Sequence, residues 1–303
     1  MISQKQEREI VIEFKKPELS DASEIRKIID KTTSFNCDLN FANMFVWRDT
    51  YGVRICVHDD TLMKGYFDDD KNEVRFSMPI GYDDLKASIQ AMLDYAEKIG
   101  YHAYFSDIDE SNAEKYKSIF HETHTLIPDR DYSDYVYLQS DLATLSGRKY
   151  QKKRNHISKF DREYDGVYKP ITPENTADAR AVYSKWCEEN SDKIDSDETN
   201  AINTALDNFN LLSMSGGILY ANGTACAVTM GSRINNNVFD VQFEKALLEF
   251  DGAYTKINQC FAETLSGYKY INREEDLGIE GLRKAKLSYH PALINLRYSA
   301  RII

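Results

Sequence analysis

Residues 217–243 read GILYANGTACAVTMGSRINNNVFDVQF. Three β-rich runs are separated by two turn signals, Asn222-Gly223 and Asn235–Asn237. Asn-Gly marks a two-residue hairpin, because both residues tolerate positive φ. The spacing predicts strands over 217–221, 224–232 and 238–243. A helix over 253–265 follows, with Ile257, Phe261 and Leu265 on one face. Gly267 and Tyr268 close it, and 269–272 leads into Arg273, Glu274, Glu275 and Asp276. The same order stands earlier in the chain. Strands are predicted over 52–58, 61–67 and 74–78, with turns at Asp59-Asp60 and Asn72-Glu73. A helix over 83–99 carries Leu85, Ile89, Met92, Leu93 and Ala96. Gly100-Tyr101 close it, and a strand over 103–106 runs into Asp107, Asp109 and Glu110. Val74 and Val238 lie 164 residues apart, and the two Gly-Tyr pairs lie 167 apart. A matching series of this length predicts an internal duplication of an α/β unit with mixed sheets. Each copy opens with a helix, over 20–31 and 173–189. The first is expected to start at Ser20 or Asp21, with Glu24 placed for a capping box. The expected division is 1–146 and 147–303.

Composition narrows the class. The chain has 303 residues, 42% hydrophobic and 29% charged, as a soluble globular protein does. Twenty Tyr, 14 Phe and two Trp supply a core, which excludes a disordered chain. No window approaches about 18 uninterrupted apolar residues, so no membrane span is expected. Met1 to Glu9 is polar, so no signal peptide is expected. Five scattered cysteines without a C-x-x-C pair fit a reducing cytoplasm. Lys and Arg number 38 against 49 Asp and Glu, a net charge of −11 that argues against polyanionic partners. That charge is uneven. Residues 148–159 hold Arg148, Lys149, Lys152, Lys153, Arg154 and Lys159 with no acid, so the remainder carries −17. Tyr150, Ile157 and Phe160 give this run a narrow buried face on a predicted basic helix. Residues 188–198, with six acids and one lysine, read as a solvated loop or helix end.

A duplicated strand, hairpin and helix unit suits an acyltransferase, whose donor phosphate sits on backbone N–H groups at a helix start. The corresponding stretch, Glu249, Phe250, Asp251, Gly252, Ala253 and Tyr254, keeps one glycine of a coenzyme A loop and adds two carboxylates. Gly252 is the donor-binding candidate there. Residues 272–291 form the second candidate. Glu274 or Asp276 can take a proton from an attacking amine or hydroxyl. Arg283 or Lys286 can stabilise an oxyanion or hold a phosphate. A surface loop laced with ion pairs fits the same residues. His121 and His124 share a face only if helical, and no zinc site is expected from two histidines. His290 and Cys187 read as packing residues, and Tyr150, Tyr254 and Tyr289 either line a groove or, the commoner case, pack and hydrogen-bond. No Rossmann glycine motif, P-loop or G-x-S-x-G occurs.

The run 272–291 resembles the signature of the C-terminal, cytoplasmic domain of phosphatidylglycerol lysyltransferases, and more closely their stand-alone relatives of unknown function. Gly147 to His156 resembles that family too. So do Asn40, Phe41, Asn43, Trp47 and Tyr51, and Phe243, Glu244, Asp251, Gly252, Ala253 and Asn258. The resemblance covers roughly 20–298. It implies a tandem N-acetyltransferase-like (GNAT-like) fold and kinship with Fem-type enzymes, which move an aminoacyl group from charged tRNA to an amine or a lipid hydroxyl. The multi-helix membrane half of the lipid enzymes is not in this chain, which leaves the acceptor open as a small molecule or lipid headgroup.

Three functional readings follow. In the first, aminoacyl-tRNA is the donor and no cofactor is required. Arg148, Lys149, Lys152, Lys153, Arg154, Asn155, Gly252, Arg273 and Tyr289 hold the donor, and Asp276, Glu274, Arg283 and Lys286 carry the chemistry. In the second, a coenzyme A thioester acylates a small cationic amine, which the acidic remainder suits. In the third, the chain is a binding module that has lost turnover.

Overall fold

The computed structural model describes residues 12–120, 123–190 and 196–302. Residues 18–47 hold helices α1 (Ala22–Ile29) and α2 (Phe41–Val46). Strands β1 (Val53–His58), β2 (Thr61–Asp68) and β3 (Glu73–Phe76) follow, then α3 (Leu85–Lys98), β4 (His102–Phe105), β5 (Ile108–Asp109) and α4 (Glu110–Phe120). The chain continues through β6 (His124–Leu138), α5 (Gln139–Thr144), α6 (Gln151–Glu163), β7 (Gly166–Pro170), α7 (Thr176–Glu189) and α8 (Ser196–Asp207). It ends with β8 (Ser215–Ala221), β9 (Thr224–Arg233), β10 (Val238–Ala246), α9 (Ala253–Thr264), β11 (Tyr270–Asn272), α10 (Glu280–Leu287) and β12 (Leu293–Ile302).

The described residues form two compact units. One takes residues within 12–17, 48–127 and 298–302, and the other takes 18–47 and 128–297. This differs from a division at 146/147. The opening segment 18–47 belongs with residues some 200 positions later, a pairing that sequence spacing does not carry.

In the first unit the sheet order is β1-β2-β3-β4, antiparallel twice and then parallel. Asp84 caps α3 by accepting from the Ala87 N–H at 3.0 Å, and Ile89, Met92 and Ala96 turn inward. Gly100, at φ 75°, ends that helix, with the Tyr101 N–H donating to the Ala96 carbonyl. The core gathers Phe14, Phe67, Phe76, Phe105 and Tyr116.

The second unit repeats the scheme. Strands β8-β9-β10-β11 run antiparallel, antiparallel, parallel, with β7 added at one edge and β6 then β12 at the other. Asn222 and Gly223 take φ of 52° and 80°, as the hairpin requires. Asp107 after β4 and Glu274 after β11, 167 residues apart, both hold positive φ, at 57° and 55°. The duplicated pattern therefore extends to an unusual backbone turn. The expected strands match observed ones within three residues, the largest difference being β10, which runs on to Ala246, whereas β5, β6, β7 and β12 have no expected counterpart. The expected capping box, Glu24 with a start at Ser20 or Asp21, is corrected. The box joins Glu18 and Asp21 one turn earlier, and a 3-10 turn precedes α1. His124 begins a strand, not a helix, and His121 lies outside the described residues. Part of the acidic stretch, 191–195, also lies outside them.

Segment 18–47 is tied to the second sheet by amides. Asn40 caps α2, accepting from the Ala42 N–H at 3.0 Å, and its Nδ2 donates to Asp240 Oδ2 at 3.1 Å. Asn43 Nδ2 donates to Asp240 Oδ2 at 3.2 Å and to Glu274 Oε1 at 2.9 Å. Asp240 Oδ1 is buried without a partner. Burial, and then the Glu274 and Asp134 charges, push the Asp240 carboxyl well above its usual range. Burial and Glu275 do the same to Glu274. Raised carboxyls hold their protons more tightly in the folded chain than in the unfolded one. Their stabilising effect is complete below the unfolded pKa near 4 and is lost as pH rises through the folded values. Asp240→Asn is therefore expected to stabilise the chain by about 1 kcal/mol at pH 8, with the gain vanishing near pH 4. Urea unfolding at the two pH values measures it.

Candidate functional site

The site lies in the second unit, where two parallel strands part. β10 pairs with β11 only over Val238–Asp240 and Tyr270–Asn272. β10 then continues against β9 as far as Ala246. The chain leaving β11 follows β6 instead. The Arg273 N–H donates to the Tyr135 carbonyl at 3.0 Å, and the Tyr135 N–H donates to the Glu274 carbonyl at 3.1 Å. A bulge between Val241 and Phe243 resets the alternation of β10. After it, Glu244 turns toward α9 and Arg273.

Glu244 Oε1 accepts from Arg273 Nη2 at 2.8 Å, and its Oε2 accepts from Asn258 Nδ2 at 3.2 Å. The Glu244 and Arg273 side chains are only 10% and 14% exposed. Arg273 stays charged. Burial alone would lower its pKa, and Glu244, Tyr137 and Tyr289 more than offset that. Its guanidinium lies 4.9 Å from the Tyr289 ring centroid, and Lys153 Nζ lies 3.6 Å from the same centroid. Burial first, then the Arg273 charge, lower the Lys153 ammonium to about 8, partly offset by Glu244. Tyr150 supports this group from below, donating from its hydroxyl to the Tyr289 carbonyl at 3.0 Å. Lys153, Arg273 and Tyr289 are thus brought together from among the expected donor residues. Glu244 and Asn258 stand beside them, and sequence reading gave neither a role. The signal was a carboxylate on a buried strand end 29 residues before a buried arginine, hidden because the bulge breaks the period of two.

The other expected residues have different partners. Arg154 donates to the Gly147 carbonyl at 2.8 Å and to Gln151 Oε1 at 2.7 Å, closing the turn before its own helix. Lys149 pairs with Asp141 at 3.1 Å, and Asn155 accepts from Gln151 at 2.9 Å. Lys152 and Asn155 lie on the exposed face of α6, opposite buried Ile157 and Phe160, and Arg148 is exposed in the 3-10 turn before it. His290 stacks edge-on to Tyr150, a packing role.

Gly252, the expected donor contact at the start of α9, packs against α6. At φ 89°, a Cβ there would stand 2.5 Å from the His156 carbonyl oxygen, so glycine lets α9 begin against α6. The two carboxylates nearby are neutralised, Asp251 by Lys159 at 2.6 Å and Glu249 by Lys185.

Asp276 is corrected from a base to an ion-pair anchor. It is fully buried and accepts from Tyr135 Oη at 2.5 Å, Arg283 Nε at 2.8 Å and the Gly278 N–H at 2.9 Å. Burial would raise its pKa. The hydrogen bonds from Arg283, Tyr135 and Gly278 overcome that and hold it well below the usual carboxylate range. Arg283 also pairs with Asp131 at 2.6 Å. Lys286 donates to the Arg273 carbonyl at 2.6 Å and to the Glu275 carbonyl, clamping the turn instead of facing an oxyanion. Glu274 is engaged by Asn43. Cys37, Asp134 and Glu275 have the composition of a metal cluster. The Arg297 guanidinium already sits among them, 2.7 Å from Asp134 Oδ1 and 3.1 Å from Cys37 Sγ.

Parallel strands that part beside a bulged strand, in two sheets of one order, define an acyltransferase-like fold of the tandem GNAT kind. A tandem GNAT protein from the clavulanic acid biosynthesis pathway is similar over 96% of this chain and 98% of its own, at a TM-score of 0.53 and 8% identity. The chain belongs to the family of phosphatidylglycerol lysyltransferase C-terminal domains, whose family model matches residues 30–301. A conserved protein of unknown function from Bacteroides thetaiotaomicron VPI-5482 is 40% identical, covering 97% of this chain and 100% of its own, at a TM-score of 0.92. The C-terminal domain of a lysylphosphatidylglycerol synthetase candidate from Agrobacterium fabrum is similar at 13% identity, with 93% and 91% covered and a TM-score of 0.70. No curated protein matches the chain. Among the described residues no helix is long and apolar enough to cross a membrane.

Two substitutions check the reassigned residues. Gly252→Ala is expected to cost about 2–3 kcal/mol of stability, from left-handed φ and the clash together. A variant that kept its Tm and lost coenzyme A binding would restore the pyrophosphate role. Asp276→Asn is expected to lower the Tm at pH 7 by about 5 °C or more. A depressed carboxylate contributes above the unfolded pKa and loses its contribution as pH falls, so the gap to the unsubstituted chain should narrow below about pH 4.

Proposed function

We propose that this chain is an acyltransferase that moves an aminoacyl group from aminoacyl-tRNA to an amine or hydroxyl acceptor. The observation that carries the reading is the parting of β10 and β11, lined by Arg273, Glu244, Lys153 and Tyr289. A buried cationic lining beside an open strand edge suits an anionic donor. In the transfer, the acceptor's lone pair attacks the ester carbonyl carbon and the bond to the terminal ribose oxygen breaks. The proton lost by the acceptor ends on that oxygen. Family membership, and the lysylphosphatidylglycerol synthetase named for the Agrobacterium relative, favour an aminoacyl group. The exposed cations Arg148 and Lys152 suit a phosphate backbone. A coenzyme A pyrophosphate is less suited to the start of α9, where the Ala253 and Thr255 N–H groups already donate to the Phe250 and Gly252 carbonyls. The acceptor is read as a small amine or a lipid headgroup met from solution.

The test mixes the chain with tRNA carrying labelled amino acids, in parallel with labelled acetyl-coenzyme A. Acceptor arms are polyamines and phosphatidylglycerol vesicles. Label should leave tRNA in at least one arm. Retention of no tRNA on a filter at low salt would overturn the reading. Arg148→Glu with Lys152→Glu should weaken tRNA binding roughly tenfold and flatten the slope of log K against log salt by about 1–2.

A further inference from the structure

Two cations share the Tyr289 ring and only one acid answers them. Glu244 pairs with Arg273 through Nη2. The other terminal nitrogen of that guanidinium, Nη1, is buried without a hydrogen-bond partner, and so is Asn258 Oδ1 behind it. Lys153 is half-buried, and among the described residues no acid forms an ion pair with it. Its ammonium rests on the ring face alone. Burial first, and then repulsion from the buried Arg273 guanidinium, disfavour the charged Lys153 ammonium. Such a pair is completed by one anion.

We propose that Lys153 and Arg273 form the seat of one phosphate group of the acyl donor, opened when the Lys153 side chain leaves the Tyr289 ring. This rests on reading the parting of β10 and β11 as the donor site. Phosphate fits better than carboxylate. A planar carboxylate engages an arginine through its paired fork, and here Nη2 is already held by Glu244. What remains is one guanidinium nitrogen and a point-like ammonium, arriving from β11 and α6. A tetrahedral oxyanion can offer each a separate oxygen. The site is distinct from the helix start at Gly252, where the Ala253 N–H already donates to the Phe250 carbonyl at 3.1 Å.

The probe is inorganic phosphate added to the full chain, with the Lys153 amine followed by 15N NMR and assigned by its loss in Lys153→Gln. No acceptor is present, so a failure of transfer activity does not bear on the result. Phosphate is expected to raise the Lys153 titration midpoint by about one pH unit. Lys153→Gln should keep its Tm and bind phosphate at least tenfold more weakly, and Lys153→Arg should restore binding. Further arms use an oligoribonucleotide ending in CCA and coenzyme A, and the arm that moves the midpoint at the lower concentration names the source of the phosphate. An unmoved midpoint at tens of millimolar phosphate, or unchanged affinity in Lys153→Gln, overturns the proposal. A shift with phosphate and with neither donor arm means an adventitious ion only, and overturns it too.

Discussion

The second unit is organised by the early end of one ladder. β10 and β11 share three residue pairs and then take different partners, β9 for one and β6 for the other. Parallel strands that stop pairing leave an opening that side chains must fill. Glu244 and Arg273 line it as an ion pair, with Asn258 holding the second carboxylate oxygen. Breaking such a pair leaves an unanswered buried charge, which is why each member needs the other. The surrounding parts serve that opening. Lys286 holds the carbonyls on either side of Glu274, and Tyr137 returns a hydrogen bond to the Lys286 carbonyl at 2.8 Å.

The run 274–276 shows how environment divides like residues. Glu274 and Asp276 are both carboxylates in one short turn. Asp276 meets Arg283, Tyr135 and a backbone N–H, and is held ionised. Glu274 meets an amide and another carboxylate, and is pushed toward its neutral form. Glu275, between Arg297 and two further acids, is raised to about 7, chiefly by burial. One turn therefore carries three acids of different proton affinity.

Much of the fold is local and was legible. Hairpins at Asn222-Gly223 and Asp59-Asp60, helix faces, and the 164 and 167 offsets all follow from nearest-neighbour chemistry. The membership of 18–47 was not legible, because Asn40 and Asn43 find Asp240 about 200 residues away. At the site, Lys153, Arg273 and Tyr289 were found through charge and motif. Their convergence depends on the bulge in β10, which no period reveals. Asp276 and Arg283 looked like chemistry, since seven residues with a Gly-containing turn between them suit a site. Tyr135, 141 residues earlier, makes them an anchor.

The amide tie between α2 and the sheet also orders events at the ribosome. Residues 18–47 are made about 200 residues before their hydrogen-bonding partners at Ser232, Asp240, Gln242 and Glu274. The nascent segment carries Ile25, Ile28, Phe41 and Met44, which are buried in the fold, ahead of the strands it is tied to. High contact order of this kind slows folding and lengthens exposure to aggregation. A chain stopped before β10 would lack the Asp240 carboxylate that Asn40 and Asn43 bind.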